Sequence, residues 1–278
     1  MTISLSRTRP EMPTAVVIGV GNMGLAIARR LGQNHRLLLA DLDAKHLDHV
    51  AIALRDEGHS VEVQQCDVGS AASVAELAAW ASQQGPMRVL AHVVGLTPSM
   101  ADWRRIMQVN LVGPTLTSAA FLPLAGDHTA AIYIASLAAH MAPEDERVTR
   151  ILDNPLQPGF LDCVEEAMGE PPASTMSYML SKAALVRMCR QQAPAWGQKQ
   201  ARIVSVSPGL IASHQGALEF KNQPKKIELL DRTPLARQGS VLEIADAVAF
   251  LGSEQASFIT GIDLLVDGGI SAALRHPQ

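Results

Sequence analysis

The stretch TAVVIGVGNMGLAIARRL, residues 14–31, decides the fold. Ala15 to Ile18 is an uninterrupted apolar run, the pattern of a strand covered on both faces in a parallel sheet. Leu25 to Leu31 opens a helix-like segment. Between them Gly19-Val20-Gly21-Asn22-Met23-Gly24 has the spacing G-x-G-x-x-G in the context that such a motif requires, after a strand and at the start of a helix. A backbone without side chains turns tightly there and lets a pyrophosphate approach closely, while the N–H groups of the helix start offer positive charge. The bland alternative is a tight strand-to-helix turn that holds no ligand. Asp41 weighs against it, standing 17 residues after Gly24 at the end of the apolar run RLLLA. At that position a carboxylate accepts hydrogen bonds from an adenosine ribose, although Asp43, two residues on, keeps a solvated loop acid as the alternative.

Outward from this unit the same rhythm repeats. VEVQQC, RVLAHVVG, AAIYIAS, RIVSVS and IDLLV read as strands. The stretches 71–81, 103–121, 177–196 and 241–251 read as helices. Strands rich in Val, Ile and Leu without alternation imply an α/β Rossmann-type doubly wound parallel sheet of about seven strands with helices on both faces. One such domain accounts for residues 1–278, with residues 1–12 expected as a flexible tail. Residues 141–173 break the rhythm with Pro143, Pro155, Pro158, Pro171 and Pro172 and several acids. Prolines end helices and interrupt ladders, so this segment is expected to be an excursion from the sheet edge.

Composition narrows the function. Hydrophobic residues make up 47% and charged residues 18%, as in an ordinary globular protein with a large core. The net charge of −4 gives no basic field for nucleic acid or an anionic membrane surface, and neither is expected as a partner. No segment reaches the ~18 apolar residues of a membrane span, and the N-terminus lacks a secretory pattern, which points to the cytoplasm. Cys66, Cys163 and Cys189 lack the spacing of a zinc site or a disulfide framework and read as reduced packing residues.

In Ser177-Tyr178-Met179-Leu180-Ser181-Lys182, Tyr178 and Lys182 stand four apart, on one face of a helix. A phenol near its reference pKa of ~10 is a poor base at neutral pH, but a neighbouring ammonium stabilises the phenolate and lowers that value. Taken alone, such a pair is more often an unremarkable surface pair.

The order of these motifs carries a resemblance. Tyr178-x-x-x-Lys182 lies downstream of the glycine turn and of a strand ending in Ser136, and from about Thr14 to about Gly269 the chain resembles the short-chain dehydrogenase/reductase family. Asn110 in VNLVG resembles the family's active-site Asn, and Ser136 in IYIAS its catalytic Ser. Cys66-Asp67-Val68 resembles its adenine-contacting motif. Pro208-Gly209 resembles its coenzyme loop, with Ser213 where a Thr is usual, and Ile259-Thr260-Gly261 with Asp267-Gly268-Gly269 resembles its C-terminal signature.

The resemblance implies hydride transfer between a nicotinamide ring and a secondary alcohol or ketone, with NAD(H) preferred over NADP(H). Tyr178 would be the general acid/base, Ser136 would hold the substrate oxygen, and Lys182 would bind the nicotinamide ribose. Asn110 would hold a helix distortion and a relay water. The bland alternative for Ser136 and Asn110 is a pair of local backbone bonds. Coenzyme contacts are implied for Gly19, Gly21, Asn22, Met23 and Gly24, and for Asp41 and Leu42 at the adenosine ribose. Asp67, Val68 and Gly95 follow, then Tyr178 and Lys182, then Pro208, Gly209, Ile211 and Ser213. No metal is required.

The chain departs from the family pattern in three places. Its glycine turn is one residue shorter, and His92-Val93-Val94-Gly95 stands where two Asn side chains are usual. Ser136 and Tyr178 are 42 residues apart, the excess lying in 141–173. That insertion is expected near the substrate site, as a flexible wall or lid favouring a bulky, largely apolar substrate. His92, His140 and His214 are expected as polar lining of the site. Met141, Met168, Met176 and Met179 are expected as an adaptable pocket or as core filler. A homotetramer or homodimer is implied, through the helices 103–121 and 177–196. Two other readings are a nucleotide-sensing protein without turnover and an imine reductase, the latter suggested by GVGNMG; neither explains Tyr178 and Lys182 together.

Overall fold

The computed structural model describes residues 12–213, 216, 217, 220 and 225–276, so that His214 and residues 1–11 of the expected tail lie outside the described residues. Seven parallel strands form one sheet in the order β3-β2-β1-β4-β5-β6-β9. These are β1 (Thr14–Ile18), β2 (Arg36–Asp41), β3 (Val61–Gln65), β4 (Met87–His92), β5 (Ala130–Ile134), β6 (Arg202–Pro208) and β9 (Asp263–Val266). A two-stranded pair, β7 (Ile211–Ala212) with β8 (Gly239–Ser240), stands apart from it. The order reverses between β1 and β4, and at such a switch point the carboxyl ends of neighbouring strands open a crevice. All five residues of β1 and all seven of β6 are buried; in β1 this leaves the apolar run Ala15 to Ile18, whereas β6 carries buried Ser205 and Ser207, whose hydroxyls are satisfied by Asp263.

Helices cover both faces. On one lie α1 (Asn22–Leu31), α2 (Ala44–Asp56) and the helix Val241–Gly252, burying Ile27, Leu47, Leu54 and Val248 against Val17 and Leu39. On the other lie α3 (Ala71–Ser82), α5 (Gly113–Phe121) and α8 (Ser174–Gly197), burying Leu77, Phe121, Leu185 and Trp196 against Val16, Leu90 and Tyr133. The stretch 103–121 is α4 (Trp103–Met107), a π-helical turn from Gln108 to Val112, and α5 in direct succession.

The insertion differs from its expectation. It leaves the end of the interior strand β5, not the sheet edge, and forms α6 (Glu146–Leu152) and α7 (Phe160–Met168). Its prolines fall outside both helices, which leaves Val148 and Leu152, and Phe160 and Val164, four apart on buried faces. These side chains pack with Met107, Leu111 and Val112 and with Leu180 and Ala184 of α8. Arg104 reaches Asp162 and Glu165, and Arg187 holds Asp153 at 2.7 Å. Met168 and Met176 belong to this cluster. The insertion therefore covers α4, the π-helical turn and the first part of α8, a portion of the helices 103–121 and 177–196 to which the resemblance assigned subunit contacts. Among the described residues no helix is long and apolar enough to cross a membrane.

Candidate active site

The glycine turn is shaped by sterics. Gly19 takes a left-handed φ of 91°, which favours glycine, and a Cβ on Gly24 would collide with the Gly19 carbonyl oxygen. Gly21 caps α1 without any side-chain hydrogen bond, and nothing lies within 4 Å of where its Cβ would be. No acid stands in the first turn of α1. An open, uncapped helix start next to a residue that cannot block it fits a pyrophosphate.

Asp41 ends β2 beside this turn. Its Oδ2 accepts from the Val20 N–H at 2.8 Å and its Oδ1 from the Asp43 N–H at 3.2 Å. A carboxylate has lone pairs beyond these two, so a ribose hydroxyl can still bind. Leu42 is exposed at the strand end. Asp67 caps its own loop, accepting from the Gly69 N–H at 2.9 Å, while Val68 is buried against Gly113 of α5.

At the other end of the crevice the chain gathers Ser136, Tyr178 and Lys182. They line a cleft of about 170 Å³ together with Met23, Gly95 and the β6–β7 turn, of which Pro208, Gly209, Ile211 and Ser213 were expected. Lys182 is 3% exposed; its Nζ donates to the Ile134 carbonyl at 2.8 Å and lies 5.9 Å from the Tyr178 ring centroid. Burial draws this ammonium down to about 8. Ser136 Oγ accepts from the Ala138 N–H at 3.2 Å, capping the short helix Leu137–Met141 at the end of β5.

Asn110 sits in the π-turn, fully buried. Its amide closes on Leu96, accepting from the N–H at 2.8 Å and donating to the carbonyl at 2.9 Å. This bond holds the loop after β4 and with it Gly95, where a Cβ would come 3.2 Å from Lys182 Nζ. The helix distortion expected around Asn110 is thus present as the π-turn.

Of the three histidines expected as lining, His92 and His140 are described, and neither lines this cleft. His92 is buried, stacks on Tyr133 at 5.5 Å, and is pushed down to about 3 by burial first and by the Lys182 charge second. It follows the apolar run of β4 into the core. His140 donates from Nε2 to Asp263 at 2.7 Å, and Asp263 also accepts from Ser205 and Ser207. No residue of 141–173 lines the cleft either, because its apolar side chains are engaged on α4 and α8. The sequence reading overlooked Leu96, Thr97, Leu210 and Phe220, which line the cleft. The first two follow Gly95 directly, and that adjacency was the available signal.

A seven-stranded, doubly wound sheet with a glycine turn at its switch point defines a Rossmann-type nucleotide-binding protein. Residues 13–147 match the family model described as short chain dehydrogenase, and residues 163–271 match the one described as Enoyl-(Acyl carrier protein) reductase. The chain is 30% identical over 271 residues to "Short-chain dehydrogenase/reductase bsc3" of Alternaria brassicicola, covering 95% of this chain and 97% of that one. It is 31% identical over 268 residues to a galactitol 2-dehydrogenase (L-tagatose-forming) of Cereibacter sphaeroides, covering 92% and 93%. The solved short-chain dehydrogenase/reductase of Brucella melitensis, titled glucose/ribitol dehydrogenase, superposes with a TM-score of 0.72 at 28% identity, covering 94% and 97%. The chain belongs to the short-chain dehydrogenase/reductase family, whose members are NAD(P)(H)-dependent oxidoreductases.

Proposed function

We propose that the protein interconverts a secondary alcohol and a ketone, with Tyr178 as the general acid/base. The observation that carries this reading is the buried Lys182 ammonium beside the Tyr178 ring in the cleft that Ser136 shares. When bound, a nicotinamide coenzyme would supply or accept the hydride. In the reducing direction the Tyr178 hydroxyl gives its proton to the substrate oxygen, and the Lys182 charge stabilises the phenolate left behind. Ser136 donates a second hydrogen bond to that oxygen and fixes its position. The glycine turn and Asp41 hold the adenosine half of the coenzyme; Gly95, Lys182 and the β6–β7 turn hold the nicotinamide half.

The cleft walls, Leu96, Ile134, Ala135, Leu210 and Phe220, favour a largely apolar substrate. No residue of 141–173 stands among these walls, so the insertion lends no support to a bulky substrate over a small one. With added nicotinamide coenzyme, kcat/KM for a cyclic apolar ketone or alcohol is expected to exceed that for a sugar alcohol by about tenfold or more, since burying a polyol leaves hydroxyls unpaired. A preference for the polyol overturns the substrate class. Coenzyme binding without turnover of any alcohol, ketone or imine would favour the sensor, and turnover of imines alone the imine reductase.

The covered α4/α8 face bears on assembly. We infer that subunits do not pair through the covered part, so light scattering is expected to give a monomer or a dimer that uses another face. A tetramer, or cross-linking between cysteines placed on the two α8 helices, overturns this.

A further inference from the structure

The turn between Gly19 and Gly21 is gripped from two sides. Val20 is fully buried; its N–H donates to Asp41 Oδ2 at 2.8 Å, and its carbonyl accepts from His46 Nε2 at 3.1 Å. Because a carbonyl only accepts, Nε2 carries the proton. His46 stands in the first turn of α2, and its own N–H is fixed at 3.1 Å by Asp43 Oδ1, the N-cap of that helix. The Asp43 N–H in turn donates to Asp41. The loop 41–46 thus closes a ring of hydrogen bonds around one residue of the glycine turn, with Asp41 holding the peptide before Val20 and His46 the peptide after it.

The Val20–Gly21 peptide is planar and trans, so the Val20 carbonyl and the Gly21 N–H point in opposite directions. Holding the carbonyl toward α2 aims the Gly21 N–H away from it, on the residue where no Cβ intrudes. We propose that His46 is a positioning residue for the coenzyme's pyrophosphate, acting through the Val20–Gly21 peptide without touching the coenzyme. The proposal rests on the coenzyme reading above. A histidine at a helix start that merely bonds a neighbouring carbonyl would help the fold and leave coenzyme affinity alone, which gives the two roles different readouts.

The experiment measures dissociation constants of NADH and NADPH by fluorescence titration for the wild type, His46→Ala and His46→Gln, with the melting temperature of the coenzyme-free proteins. Loss of one hydrogen bond is expected to weaken both coenzymes by about fivefold in His46→Ala, and equally, because the pyrophosphate is common to them. The Gln amide N–H can reach the carbonyl and restores most of the affinity. At this exposed position the melting temperature is expected to stay within about two degrees. Unchanged affinity in His46→Ala overturns the proposal, as does a loss confined to one coenzyme or one that Gln does not restore. Failure of the wild type to bind either coenzyme overturns the coenzyme reading, and the proposal with it.

Discussion

Replacing Tyr178 by Phe is expected to lower turnover by roughly two to four orders of magnitude, the usual contribution of a positioned acid/base, while leaving coenzyme affinity nearly intact. The substitution removes one oxygen and keeps the ring. The ring is what lies 5.9 Å from Lys182 Nζ, and the ammonium's hydrogen bond to the Ile134 carbonyl does not involve Tyr178. Lys182 should therefore keep its place. What the variant lacks is a proton donor at the substrate oxygen; Ser136 can hydrogen-bond that oxygen, but an alcohol without a neighbouring cation makes a poor acid. Steady-state turnover on the best substrate of the panel, together with NADH titration, checks both halves. Wild-type turnover in the Phe variant would remove Tyr178 from the mechanism.

The parts of the molecule that sequence reading reached are those whose constraints are local. A strand covered on both faces is mostly apolar along its length, as β1 is from Ala15 to Ile18. The glycine turn needs Gly19 for its left-handed φ and Gly24 because the Gly19 carbonyl, five residues back, would collide with a side chain. Tyr178 and Lys182 meet because four residues is one helical turn. The readings that missed concern partners distant in sequence. Val148, Leu152, Phe160 and Val164 announce two apolar helix faces, yet nothing in those residues says that the surface they cover is α4 and α8 and not the cleft. The prolines of 141–173 drew attention to breakage when they mark the ends of two short helices. His92 illustrates the same limit from the other side: a polar residue at a strand end invites a place in the site, but its apolar neighbours Leu90 and Ala91 continue into a core where it stacks on Tyr133. His46 escaped notice because its bond runs from a side chain to a backbone carbonyl 26 residues earlier.

The largest remaining effect concerns coenzyme choice: NAD(H) is expected to be preferred over NADP(H) by two or more orders of magnitude in kcat/KM. In NADP(H) the ribose 2′-hydroxyl becomes a phosphate, and a carboxylate that accepts a hydrogen bond from the hydroxyl instead faces a dianion. Two unit charges about 4 Å apart near a protein surface interact by ~4 kcal/mol at an effective dielectric of 20, before relaxation and salt reduce it. A phosphate site supplies an Arg or Lys to offset this. Arg36 begins β2, five residues and about 16 Å of strand from Asp41, and its guanidinium is bonded to Gln84. Lys45 is exposed on the first turn of α2, and His46 spends its Nε2 hydrogen on Val20. The residues next to Asp41 are Leu42 and a second acid, Asp43. Raising the ionic strength should narrow the preference, since the repulsion is screened while the ribose hydrogen bond is not. Asp41→Ala should narrow it too, but at a cost on both sides: the carboxylate also holds the Val20 N–H, so efficiency with NAD(H) is expected to fall more than efficiency with NADP(H) rises. Comparable or better kcat/KM with NADPH in the wild type, measured on one substrate, would show that Asp41 does not read the ribose.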